Sequence, residues 1–193
     1  MRGALLEDPP LFTTTMPRAA TTWNCVDLAT ACHSFLASGE TDWQAYQWRN
    51  QRIWRMFGDG GPAFVDEGLR YHAEHPGEPI RVWWAPPFTR GNALGMRYDP
   101  RFGDAFYTGS WNADWDETAT LASISVPTTL VHTRVAYDDE GILMAAMGEE
   151  EAARTRELIP GVIFEKVETG HEFHEEDRAG FIRMLDELAE RVG

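Results

Sequence analysis

Apolar residues recur at two different spacings along this chain, and the change between them divides it. From Thr21 to Leu36, the positions Trp23, Val26, Ala29, Ala31, Phe35 and Leu36 fall roughly three or four apart, the spacing that places side chains on one helix face. Thr41-Asp42 is suited to cap a second helix, whose stripe runs Trp43, Tyr46, Asn50, Ile53, Trp54 and Phe57. Gly58-Asp59-Gly60-Gly61-Pro62 ends it. A third, short helix is predicted from Ala63 to His72, carrying Phe64, Val65 and Leu69, before a turn at Glu74–Pro79. Residues 80–115 are less regular. Arg81-Val82-Trp83-Trp84 fits helix or strand, Pro86-Pro87 and Tyr98-Asp99-Pro100 interrupt, and Asp104-Ala105-Phe106-Tyr107 reads as a short helix leading to Ser110-Trp111-Asn112.

Beyond Glu117 the pattern changes to aliphatic strands and acidic amphipathic helices. Glu117–Ala122 reads as a turn or short helix, Val126–His132 as a buried strand, and Val162–Val167 as another. Between the strands, Glu149–Leu158 has acids in its first turn and Arg154 and Arg156 later, the favourable order for the helix dipole. Glu176–Arg191 places Phe181, Met184, Leu185 and Leu188 on one face. Strand, helix, strand, helix predicts a parallel α/β layer. At the other end, Gly3-Ala4-Leu5-Leu6 predicts a short strand running into Glu7-Asp8-Pro9-Pro10. Parallel strands are normally covered by neighbours, so this one reads as a central strand severed from what preceded it.

Composition narrows the classes of function. The 193 residues fall within the usual range for one domain, and a hydrophobic fraction of 43% suffices for a packed core. A formal charge of -14 argues against nucleic acid as a partner and disfavours anionic membranes. No apolar run is long enough to span a bilayer. Met1-Arg2-Gly3-Ala4-Leu5-Leu6-Glu7-Asp8 meets acid and proline too soon for a signal peptide. The expected location is cytoplasmic. Cys25 and Cys32 are expected as two buried thiols rather than a disulfide. All eight tryptophans lie between Trp23 and Trp115. Trp23, Trp54 and Trp111 are candidates for lining an apolar substrate pocket, although such a stripe also suits ordinary core packing.

Among the titratable residues His171 is the leading candidate for chemistry. It follows a predicted strand and a glycine, and sites in open α/β sheets collect at the carboxyl ends of strands. A histidine there can serve as a general base if a carboxylate orients it; it is equally at home as an exposed residue of an acidic loop. The matching acid is expected in Thr133–Gly141, with Asp138 and Asp139 first and Glu140 third; all three also suit a solvated turn. Asp8, after the first strand, is the alternative acid, or a residue that stabilises the Asp-Pro-Pro turn. His171-x-x-His174 and His72-x-x-His75 have a spacing that can hold a metal, but neither is H-E-x-x-H, and no metal is expected. The serines make poor nucleophiles. Gly109-Ser110-Trp111-Asn112-Ala113 lacks the second glycine of an elbow, Ser34 and Ser38 fall in or just after a helix, and Ser123 and Ser125 precede a strand. Neither a phosphate loop nor a dinucleotide fingerprint is present, so no cofactor is expected.

Taken in order, these segments resemble the C-terminal portion of the α/β-hydrolase superfamily. Gly3-Ala4-Leu5-Leu6-Glu7-Asp8-Pro9-Pro10 is similar to the sixth core strand and the loop into the cap. Ser125-Val126-Pro127-Thr128-Thr129-Leu130-Val131-His132 is similar to the seventh strand, where V-P-T-L-L-x-H-G is common. Thr169-Gly170-His171, with Phe181 on the closing helix, is similar to the eighth strand and the catalytic-histidine loop. The resemblance implies a partial α/β-hydrolase fold: a short parallel sheet with a helical cap insertion. It divides the chain into 1–12 (core strand and loop), 13–115 (mostly helical cap) and 116–193 (C-terminal core). It implies His171 as the triad histidine and a small, fairly apolar ester or amide as substrate.

The chain departs from the family pattern in three places. Thr133 stands where glycine usually follows the strand histidine, Ala136 stands near the usual acid position, and no G-x-S-x-G elbow occurs. The chain is therefore expected to be an incomplete, inactive portion of a hydrolase. The alternative is a non-catalytic small-molecule-binding module, or one that self-associates as a homo-oligomer to cover its open sheet edge.

Overall fold

The computed structural model describes residues 2–83 and 86–193. Trp84, part of the segment read above as helix or strand, lies outside the described residues, and Arg81–Trp83 form neither element. The chain divides into two compact units, Met1–Trp23 with Asn112–Gly193, and Asn24–Trp111.

The first unit is built on a three-stranded parallel sheet, β1 (Ala4–Glu7), β2 (Thr128–His132) and β3 (Ile163–Lys166), in the order β1-β2-β3. Ala4 pairs with Thr128 and Glu7 with Val131; Thr129 pairs with Ile163 and His132 with Lys166. Every residue of the central β2 is buried, the state of a strand covered on both faces. Successive side chains leave a strand on opposite faces, and two helical layers receive them. Leu130, with Leu6 and Phe164, packs on Met147 and Ala152. Val131, with Leu5, packs on Phe173, Phe181 and Met184.

The helices of this unit carry their own stop and start signals. α6 (Glu117–Ala122) is capped by Asp116, whose carboxylate accepts from Ala119 N at 2.8 Å. α7 (Glu149–Leu158) has the bounds its charge pattern predicts. The predicted last helix, Glu176–Arg191, is α9 (Arg178–Val192), and a separate short helix, α8 (Phe173–Glu176), precedes it. Asp177 leaves helical geometry between them and accepts from Gly180 N at 3.0 Å, acting as a new N-cap. Residues 13–23 and 112–115, assigned to the helical segment by sequence, belong to the sheet unit. Thr13 Oγ1 donates to Ala146 O at 2.5 Å, and Trp23 N donates to Leu143 O at 2.8 Å.

The second unit is helical. A π-helical turn, Cys25–Ala29, leads into α1 (Thr30–Ser38), which ends at Gly39 with φ 76°, a left-handed position suited to glycine. α2 (Trp43–Asn50) is N-capped by Asp42, which accepts from Ala45 N at 3.0 Å. The expected continuation to Phe57 fails at Gln51, whose ψ of 129° is extended, and a 3-10 segment Arg52–Gly60 follows. Packing overrides the stripe here, since the Trp54 indole turns back to donate to Trp48 O at 2.5 Å. α3 (Gly61–Glu74), α4 (Pro86–Gly95) and α5 (Pro100–Thr108) complete the unit. Trp48, Trp54, Ile80 and Val82 form one core cluster, and Ala31, Cys32 and Trp43 another. Cys25 and Cys32 are buried free thiols. Burial pushes the Cys32 thiol up to about 12, so it is no nucleophile at neutral pH. The architecture is the mixed α/β class expected from sequence, with a short parallel sheet and a helical segment inserted between its first two strands.

Candidate active site

The three parallel strands end side by side, and the polar residues that follow them meet there. Asp8 N continues the ladder past β1 by donating to Val131 O at 2.9 Å, Val167 N donates to His132 O at 2.9 Å, and Arg134 N donates to Thr169 O at 3.0 Å. Asp8, Thr133 and His171 therefore each follow one strand at its carboxyl end, the place where open α/β sheets put ligands.

Asp8 is the centre of the cluster. Its residue surface is 0% exposed. Its φ of 38° is positive, a conformation that Asp adopts more readily than most residues but still at a cost. The following loop is tied down at two points: Phe12 N, itself at φ 62°, donates to the buried Glu117 Oε1 at 2.9 Å, and Thr13 reaches Ala146 O. Asp8 Oδ2 accepts from Thr133 Oγ1 at 2.7 Å and lies 2.9 Å from His171 Nδ1; Thr133 N approaches Oδ1 at 3.4 Å. Burial alone would raise the Asp8 carboxyl. The neighbouring imidazoles of His132 and His171 and the Thr133 hydroxyl and amide outweigh it, and hold the group below the usual carboxylate range. The hydrogen bond to Asp8 in turn raises His171 above its ordinary value, against a partial opposing effect of burial.

His171 itself is open, with a side chain 63% exposed. Its described hydrogen bond uses Nδ1 alone. A carboxylate on Nδ1 fixes the tautomer and leaves Nε2 to take a proton from a reacting group. Its loop is fixed by Gly170 N, which donates to both carboxylate oxygens of Glu176 at 3.0 Å. A second pair lies alongside: His174 Nδ1 is 2.8 Å from Glu7 Oε1, which also accepts from His174 N at 2.9 Å. The two histidines thus each take a separate carboxylate. Among the described residues no group of three or more His, Cys, Asp or Glu is placed to hold a metal ion.

The acids favoured from sequence stand elsewhere. Asp138 Oδ1 accepts from Glu140 N at 3.0 Å and Ile142 N at 2.8 Å, closing its own turn. Asp139 and Glu140 are exposed. Of the acids named from sequence, it is Asp8 that the structure brings to His171. The signal that could have promoted it is Thr133: a hydroxyl in place of the expected glycine gives a buried carboxylate after β1 its partner.

The aromatic candidates are dispersed. Trp54 is 6% exposed within the helical core, its ring 4.4 Å from that of Trp48. Trp111 is 37% exposed and stacks on Phe106 at 4.8 Å. Trp23 is half-buried in the sheet unit. Ser110 lies in a 3-10 turn and accepts from Thr108 Oγ1 at 3.0 Å, far from the strand-to-helix geometry of a nucleophile elbow.

No family model matches the chain. No curated protein matches it either. Among solved structures, the chain is similar to the crystal structure of proline iminopeptidase from Mycobacterium smegmatis, with a TM-score of 0.41 and 14% sequence identity over 86% of this chain and 53% of that one. The chain spans about half the length of that structure. Among the described residues no helix is long and apolar enough to cross a membrane.

Proposed function

We propose that this chain carries the acid–histidine part of a hydrolase site of the α/β-hydrolase type, with Asp8 orienting His171 as the general base. The observation that supports this most is the 2.9 Å contact between a fully buried carboxylate and an exposed imidazole that follow β1 and β3, the two strands flanking β2. Asp8 would hold the Nδ1–H tautomer and stabilise the imidazolium, while Nε2 takes the proton of an attacking hydroxyl and returns it to the leaving group. Two departures from the family pattern fit together in this reading. Ala136 removes the acid from its usual loop, and Thr133 supplies the hydroxyl that seats Asp8 instead. The substrate class is a small, fairly apolar ester or amide, and the reaction requires no cofactor.

The nucleophile and the oxyanion donors would come from polypeptide outside these residues, because no G-x-S-x-G occurs among them. The chain alone should therefore show no His171-dependent turnover of p-nitrophenyl acetate, and the reading frame upstream of the Met1 codon should encode G-x-S-x-G. A stop codon close upstream with no such elbow would sink the hydrolase reading.

One observation favours a second reading, a self-associating module. β1 is one of the two edge strands of the sheet, and its Leu5 and Leu6 are only half-buried, an edge on which another strand can pair. A clean dimer on size-exclusion chromatography would support it.

A further inference from the structure

His132 is the buried titratable group that the proposed chemistry leaves unused. It closes β2 on the same face as Leu130, and its side chain is 0% exposed. Both ring nitrogens are buried without a hydrogen-bond partner. Each nevertheless faces a carboxylate: Nδ1 lies 3.7 Å from Asp8 Oδ1 and Nε2 lies 3.8 Å from Glu149 Oε2. The Phe164 ring of β3 lies alongside, 6.1 Å between centroids. Glu149, the first residue of α7, is held in turn by Lys166 Nζ of β3 at 2.5 Å.

The two oxygens of Asp8 are unequally served. Oδ2 carries the short contacts to Thr133 Oγ1 and His171 Nδ1, whereas Oδ1 has only the long approach of Thr133 N at 3.4 Å. A fully buried carboxylate calls for donors to both oxygens. The unfilled place at Oδ1 is where His132 Nδ1 stands. Closing the gap by less than about 1 Å brings it within hydrogen-bond range. We infer that His132 is a positioning residue for the acid–histidine pair: it donates from Nδ1 to Asp8 Oδ1, fixing the carboxylate plane so that Oδ2 points at His171. It touches no reacting atom and acts through Asp8 alone. The inference rests on the reading of Asp8 and His171 as an orienting pair, but its test needs no turnover.

Three variants of the full chain separate the two ring nitrogens. His132→Asn keeps an amide nitrogen near the place of Nδ1, His132→Gln keeps one near Nε2, and His132→Phe keeps the ring shape without a donor. The readout is the titration midpoint of the His171 imidazole by NMR, with His174 as internal reference and circular dichroism as the check on folding. The charged groups facing His171 are Asp8, Glu7 and Glu172, and none of the three is altered. Without the donor at Oδ1, the Asp8 charge falls more fully on His171. The midpoint should therefore rise by about half a pH unit in the Phe and Gln variants and by much less in Asn. An unmoved midpoint in the Phe variant, or equal shifts in Asn and Gln, would overturn the inference; the Asn–Gln comparison carries the test if the Phe variant does not fold. A missing nucleophile elbow upstream would defeat the hydrolase reading while leaving these midpoints as they are, so the two failures are distinct.

Discussion

The two units bury different chemistry. The helical unit is stabilised by aromatic packing: Trp48 meets Trp54 edge-on at 4.4 Å, and Phe57 meets Phe64 at 5.1 Å. Two of its buried indoles turn their polar ends to backbone: Trp48 Nε1 donates to Val65 O at 3.2 Å and Trp54 Nε1 to Trp48 O at 2.5 Å. The sheet unit packs mixed aliphatic and phenyl side chains on each face and, among the ends of its strands, holds a buried polar cluster of Asp8, His132 and Thr133. Aromatic burial is non-directional and proportional to area. A buried carboxylate is directional, and is tolerable only where every neighbour is placed for it. A fold commits to such a cluster at a cost that packing alone would avoid, which is why the sheet unit is the place to look for function.

The contrast predicts how each unit breaks. The largest effect should come from the aromatic core. Trp48→Ala should destabilise the helical unit by about 3–5 kcal/mol, the range for deleting a large core side chain. It should be read as a lower urea midpoint with faster amide exchange in α2 and α3; a change under about 1 kcal/mol would show that the ring is not fixed in the core. Gly68→Ala approaches the same ring from the other side. A Cβ there would come within 2.2 Å of Trp48 Nε1, and overpacking of this kind costs about 1–3 kcal/mol.

The polar cluster should respond less in magnitude but with a signature in pH. Asp8→Asn leaves the Thr133 and His171 contacts without their charge and should cost about 1–3 kcal/mol at neutral pH. The carboxyl is held below its unfolded value, so its contribution is present above about pH 4 and is lost as pH falls through the folded value. The acid limb of the stability curve should therefore flatten in Asp8→Asn. Parallel acid limbs for the two proteins would mean that Asp8 is not the charged, hydrogen-bonded group described.

How much of this was legible in the sequence follows the same division. The strands and α7 were read within a residue or two because their signals are local: an apolar run, a polar boundary, acids before arginines. The break after Asn50 was not, because the Trp54 indole turning back to Trp48 O is a tertiary contact that the helical stripe conceals. In the site, His171 stood out by its place after a strand and a glycine. Asp138 stood out by its place in the following loop, yet its carboxylate serves the amides of Glu140 and Ile142. Asp8 ranks behind the three acids of that loop, since its pairing with His171 spans nearly the whole chain. His132 reads from sequence only as the end of a strand, because no spacing reveals that both its nitrogens face carboxylates.

The smallest and sharpest prediction concerns the two histidine–carboxylate pairs. His171 and His174 are both raised, each first by its own hydrogen bond, to Asp8 and to Glu7 respectively. A raised histidine contributes stability that is fully present below its unfolded value near 6.5 and disappears as pH rises through the folded value. His171 is largely exposed, so its share is small, under about 1 kcal/mol; the midpoint itself is the better observable. In Asp8→Asn the His171 midpoint should fall toward 6.5 while His174 stays in place, and Glu7→Gln should lower His174 first. Equal shifts of both histidines in both variants would mean that the four groups titrate as one cluster, and that no single carboxylate orients His171. Selective shifts would separate a buried acid dedicated to one exposed imidazole from a surface pair beside it, which is the distinction on which the sheet unit's chemistry depends.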